Sequence, residues 1–292
     1  VPSPEPRSVT ISPMRWIRAG AAFACVTALV VVPCVSAGQS SSGTLHRPFD
    51  EVLELNVRDG FVYYHALKQT RAALDRYVAS LDVPQAAFDG WARDERLAFW
   101  LNAYNAFVLQ TIVDRYPIRG RAKDYPPDSI RQVQGAFDKR QFRAASRSVT
   151  LDEIEKTILP EFTDPRVYLA LGMGAAGSGR LRSEAYAADR LQAQLAEATT
   201  EFVTTQEHVE IDRNLNELRI SAIIGWHERE FVAAYGNGDP RFASRGPIER
   251  AALALVMPRV YPSERQFLEQ NEFRVRYKEF NWRLNDLRGG RR

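Results

Sequence analysis

Six side chains stand out for the chemistry that their types and spacing allow. Asn102 and Asn105 lie three apart in AFWLNAYNAFVLQTIV, residues 98–113, a stretch without a single charge. Residues three apart on a helix are surface neighbours, so both amides leave one side of it. An unpartnered buried amide costs about 1–3 kcal/mol, so the pair must either tie down neighbouring backbone or line a pocket. Glu155, at the end of LDEIE, and Arg166 have the types of a general acid or base and an anion holder. They could equally close on each other as a buried ion pair. Ser178 and Arg180 sit in LALGMGAAGSGRL, residues 169–181. That setting suits an anion held by backbone amides and a guanidinium, or a nucleophile if a base stands near.

Gly172, Gly174 and Gly177 in the same stretch reproduce the spacing of a dinucleotide-binding turn. That turn needs a helix starting inside the motif and an acidic residue about 20 positions on, at the end of the next strand. Here the next helix is predicted only after Arg180 to Glu184, and Asp212 is the first acidic residue closing a strand. A flexible Gly-rich surface or pocket loop fits better. The four histidines, His46, His65, His208 and His227, are isolated, with no metal-ligand spacing. His227 precedes Glu228 and Glu230, but adjacent positions on a helix point apart. A partly exposed structural histidine is therefore expected there, and no metal or cofactor is implied.

These residues must be positioned by a core. Leu97 to Val113 is apolar on nearly every side of a helix, the pattern of a buried element. Its two Asn, one Gln and flanking Arg96 and Asp114 argue against a membrane span. Before it, helical spacing runs over Phe49 to Val57 and Leu67 to Leu81, and Tyr116–Pro117 stops it. Residues 119–129 form a surface excursion. Strands are predicted over Arg131 to Phe137, Phe142 to Thr150 and Val167 to Leu171. Thr150 with Glu153 has capping-box spacing and opens a helix through Ile158. A helix over Tyr186 to Val203 follows, then a hairpin of Val209–Ile211 with Leu218–Ile220, helices over 222–235 and 247–257, and a closing strand Phe273–Phe280. Segregated helices and strands give an α+β class: one helix-rich domain with a central buried helix packed against a small, mostly antiparallel sheet.

Residues 14–37 form a secretory signal, with Arg15 and Arg18, an apolar run from Ala19 to Val32, and Val35-Ser36-Ala37 ahead of cleavage. Residues 1–13 then precede the natural start, residues 38–48 make a linker, residues 49–288 the domain, and residues 289–292 a basic tail. Both cysteines, Cys25 and Cys34, fall within the signal, so the exported protein holds together by its core rather than by disulfides. The expected location is periplasmic or extracellular, with no membrane span after cleavage. With 39 basic and 36 acidic residues the chain is nearly balanced and implies no nucleic acid. The partner to expect is a small molecule or another protein.

The central-helix motif resembles the signature of the domain of unknown function 547 family. The likeness begins at Tyr64 and passes through Phe99 to Asn105, LDEIE at 151–155, Asp164-Pro165-Arg166, and Tyr186 with its helix. It closes at NWRLN, residues 281–285. The resemblance implies a single α+β domain, often exported in bacteria, with no established substrate. It also implies histidines at the positions of Lys156 and Tyr168 and cysteines at those of Met173 and Ser178. Their replacement here removes any inherited Cys–His thiol chemistry. Two roles remain: a binding domain with Asn102, Asn105, Glu155 and Arg166 lining a cleft, or a hydrolase or transferase in which Glu155 is the acid–base group and Arg166 holds an anion.

Overall fold

A computed structural model describes residues 41–287. The signal region and the basic tail lie outside the described residues. The chain is α+β and helix-rich, built around α5 (Arg93–Arg115). Leu97 to Leu109 is buried without interruption, as the all-round apolar pattern requires. Glu95 caps the helix start through the Ala92 amide, 2.8 Å away. Around α5 pack α1 (Ser41–Asn56), α2 (Tyr64–Gln69) and α3 (Ala72–Ser80). Helix α1 starts well before Phe49, so most of the expected linker is helical. A short α4 (Gln85–Asp89) leads into the core helix.

The strands form three small sheets. Val57–Arg58 (β1) pairs with Phe61–Val62 (β2), and Phe142–Ala144 (β3) with Arg147–Val149 (β4), both antiparallel. In the third, Val209–Asp212 (β5) pairs antiparallel with Glu217–Ser221 (β6), and Arg274–Lys278 (β7) runs parallel to β6. The central helix is therefore sheathed mainly by helices rather than by a sheet. It meets β3 through the stacked rings of Phe107 and Phe142, 4.2 Å apart.

Two expected strands are absent for local reasons. Over 131–137 the Ser129 hydroxyl accepts from the Arg131 amide and starts a 3-10 turn, Ile130–Gln132. At 167–171 the Asp164 carboxylate accepts from the Arg166 amide at 3.1 Å behind Pro165, and a short helix α7 (Arg166–Leu169) results. The Gly-rich segment that follows is no surface loop: Leu171 to Gly179 is buried apart from half-buried Ala176. Its glycines permit close packing. Gly174 has φ +70°, and a Cβ at Gly179 would fall 2.0 Å from the Leu169 carbonyl oxygen.

The remaining helices are α6 (Leu151–Glu153), α8 (Leu191–Thr204), α9 (Ala222–Trp226), α10 (Glu228–Tyr235), α11 (Pro247–Val256) and α12 (Pro262–Glu269). Among the described residues no helix is long and apolar enough to cross a membrane.

Burial also makes the fold acid-sensitive. His46 on α1 bonds the Tyr77 hydroxyl of α3 at 2.8 Å, and burial lowers its pKa from 6.5 to about 4. His208 stacks on Phe202, and burial, helped by Lys278, lowers it likewise to about 4. Both are neutral when folded, and the unfolded chain binds their protons first as pH falls. Their contribution to stability is whole above pH 6.5 and is lost progressively as pH drops through 4. Urea denaturation should give a midpoint that declines across this window, and a smaller decline in the His46→Gln/His208→Gln double variant.

Candidate functional site

Glu155 is the centre of the site, and its position comes from an irregularity. The capping box forms as expected, with Thr150 Oγ1 accepting from the Glu153 amide and Glu153 accepting from the Thr150 amide. After α6 the helix widens into a π turn over Ile154–Ile158 and then tightens into a 3-10 turn, Leu159–Phe162. Such a π turn rotates the residues within it relative to an ordinary helix, and such turns are frequent at functional sites. Glu155 is buried there, only 7% exposed. The Tyr104 hydroxyl of α5 donates to its Oε2 at 3.1 Å, and His227 Nε2 lies 3.1 Å from its Oε1.

His227 sits where α9 ends and α10 begins. The expected single helix over 222–235 breaks at this residue, whose φ −114° and ψ 34° are not helical. The break turns the imidazole inward, away from the adjacent Glu228 and Glu230 and onto Glu155. His227 is buried rather than partly exposed. The Tyr168 ring of α7 stacks on the imidazole at 3.5 Å, within 7° of parallel. With Glu155 as a carboxylate, His227 donates through Nε2–H, leaving Nδ1 as the basic nitrogen of the ring. Burial, and next the charge of Glu155, push Tyr104 ionisation well above 10, so its hydroxyl remains a donor.

Glu155, His227 and Tyr168 line a cleft of about 480 Å³. Arg131, Phe137, Trp226 and Trp282 also line it, with Glu228, Arg229 and Glu230, and Asp152, Lys156, Pro160 and Met173 complete it. Lys156 pairs with Asp152 at 2.7 Å, and Arg229 with Glu230 at 2.7 Å. No group of His, Cys, Asp and Glu suited to a metal is found among the described residues.

Of the six side chains proposed from the sequence as site residues, Glu155 alone lines this cleft. Asn102 bonds both the amide and the carbonyl of Tyr186, each at 2.8 Å. Asn105 accepts from the Gly172 amide at 2.8 Å and donates to the Ala170 carbonyl. Both are buried fastenings of backbone. Arg166 does not pair with Glu155; it holds Asp164 at 2.7 Å and Gln192 at 2.6 Å. The Ser178 hydroxyl is buried and donates to the Ala175 carbonyl. Arg180 bridges Asp59 and Glu201. The Gly-rich amides are likewise occupied: Gly172 by Asn105, Ala176 and Gly177 by the carbonyls of Arg283 and Asn281, and Ser178 by that of Ala175. These four cannot also cradle an anion.

The family model described as Protein of unknown function, DUF547 matches residues 88–203. Over those residues the chain is similar to the DUF547 family. Neither the curated proteins nor the solved structures gave a match. The DUF547 region carries α5, Glu155, Tyr168 and Met173, whereas Trp226, His227 and Trp282 lie beyond it. Tyr64 and Asn285, at the two ends of the sequence likeness, also lie outside it, yet they bond each other through the Tyr64 hydroxyl and Asn285 Oδ1 at 2.8 Å. Of the four positions where the DUF547 resemblance leads one to expect histidine or cysteine, Lys156, Tyr168 and Met173 line the cleft and Ser178 does not.

Truncating Glu155 strands two buried donors, while an amide preserves an oxygen for Tyr104 and a polar partner for His227. Glu155→Ala should therefore cost about 3 kcal/mol and Glu155→Gln about 1 kcal/mol or less. Urea melts of the two variants against the parent check this order.

Proposed function

We propose that this is an exported protein that binds a small molecule in the cleft over Glu155 and His227. One observation carries the reading: a buried carboxylate, held by Tyr104, orients an imidazole whose other face is packed by Tyr168, at the edge of a cleft of ligand size. Clefts of about 300–1,000 Å³ that combine aromatic walls with a few fixed polar groups are the usual form of small-molecule sites. Export is supported by the arginines, apolar run and small-residue motif of residues 14–37.

A second reading has support of its own. The His227–Glu155 pair has the form of a base oriented by a carboxylate, able to activate a water or a ligand hydroxyl. Met173 stands where the resemblance leads one to expect a thiol, and a thioether is no nucleophile of that kind, so acid–base chemistry rather than covalent thiol chemistry suits this chain. The anion-holding role first considered for Arg166 is not part of this version, because that guanidinium is spent on Asp164 and Gln192.

A thermal-shift screen of metabolite-sized compounds should yield hits that lose their effect in Trp226→Ala and His227→Gln; hits that survive both changes place binding elsewhere. For any compound that is also turned over, His227→Gln should lower kcat by about 10²–10⁴-fold, with Arg166→Gln close to the parent. N-terminal sequencing of protein recovered from outside the cytoplasm should begin at Gly38, and recovery only with the N-terminal region intact from the cytoplasm would count against export.

A further inference from the structure

Among the described residues the cleft has one cation without a carboxylate. Lys156 is taken by Asp152, Arg229 by Glu230, and Glu155 by Tyr104 and His227. Arg131 has neither an ion pair nor a side-chain hydrogen bond among the described residues. Its guanidinium carbon instead lies 4.3 Å from the centre of the Trp282 ring, 4.6 Å from that of Phe137 and 5.9 Å from that of Tyr125. Aromatic faces hold a guanidinium without consuming its N–H donors. The fork is thus fixed in place and unspent, the arrangement that favours bidentate binding of a planar anion.

Two further features belong to residues that line the same cleft. The Tyr168 hydroxyl is buried and has no hydrogen-bond partner among the described residues. Burial, and next the charges of Glu230 and Glu155, keep it protonated and therefore a donor. Trp226 is 48% exposed and is backed by Phe280 at 4.8 Å and Trp282 at 6.1 Å, giving a flat apolar platform at the same cleft.

We propose that the ligand of this cleft is a small carboxylate with a flat apolar body: its carboxylate lies in the fork of Arg131 and its body lies against Trp226 and Trp282. A singly charged carboxylate matches one free guanidinium, whereas a phosphate dianion would want a second free cation in a cleft that Glu228 and Glu230 also line. The assignment rests on the cleft being a ligand site and adds the ligand's chemistry.

Isothermal titration calorimetry of the full chain with 3-phenylpropionate and with its amide separates the two claims. The acid should bind about tenfold more tightly than the amide, the discrimination expected of a charge-assisted bond. Arg131→Gln should erase that preference and leave the amide's affinity unchanged, while Arg131→Lys should retain only part of it. Arg131 is exposed, so neither change threatens the fold. Equal affinity for acid and amide, or a preference that persists in Arg131→Gln, overturns the carboxylate assignment and leaves the cleft as a ligand site. Binding of neither probe at millimolar concentration, alongside screening hits that depend on Trp226 and His227, overturns the assignment in the same way. If no hit depends on those two residues, the site reading falls with it.

Discussion

A helix buried on every side has no water to satisfy its polar side chains, and that constraint organises the molecule. Three of the four residues from Asn102 to Asn105 carry polar groups, and each must find a protein partner. At about 100° per residue, the two Asn side chains leave α5 about 60° apart, while Tyr104 points away from both. Asn102 therefore fastens the backbone at Tyr186, Asn105 fastens Ala170 and Gly172, and Tyr104 reaches the opposite side to Glu155. One turn of helix thereby sets the positions of three separate segments of chain. The same geometry explains why the asparagines are supports and the tyrosine between them touches the site.

From Glu155 outward, the site depends on two departures from regular helix. The π turn over Ile154–Ile158 places a carboxylate in the interior, and the break at His227 places an imidazole against it. Neither group is isolated, because an unpaired charge in that setting would carry a large desolvation cost. Tyr104 supplies a neutral donor that cannot compete for the negative charge, and Tyr168 covers the flat face of the ring. His227 is thus held by a hydrogen bond in its plane and a stack against its face, which limits both tilt and rotation. A ring so constrained offers a fixed direction to whatever enters the cleft.

The regular elements were legible in the sequence because their signals are local and periodic. The all-round apolar run of α5, the capping box of Thr150 and Glu153, and the β5–β6 hairpin all follow from spacing. What was illegible depends on contacts between distant segments or on breaks within a periodic pattern. The segment at Val167 was apolar enough for a strand, but Asp164 and Pro165 start a helical turn instead. The glycines of residues 172–179 suggested mobility, whereas they serve close packing against Leu169, Ile112 and Asn281. An unbroken helix would carry His227 outward, so its sequence setting implies partial exposure; the local hint of its burial is its place directly after the apolar run of α9. Glu155 was found, but its partners Tyr104 and His227 are 51 and 72 residues away in sequence.

The cleft is also a consequence of long-range closure. The DUF547 region brings Glu155, Tyr168, Met173 and Arg131, yet it contains neither His227 nor the tryptophans that form the rest of the wall. Those arrive with the chain beyond residue 203, and the last segment is tied back at several points. The carbonyls of Asn281 and Arg283 accept from Gly177 and Ala176, Leu284 bridges to Ala175, and Asn285 joins Tyr64 and Gly60. The bonds that place Trp282 are therefore the same bonds that occupy the Gly-rich amides. A segment whose backbone would otherwise be free to bind an anion is used as the seat for the aromatic wall, and anion recognition is left to a side chain, Arg131, that the wall itself holds in place.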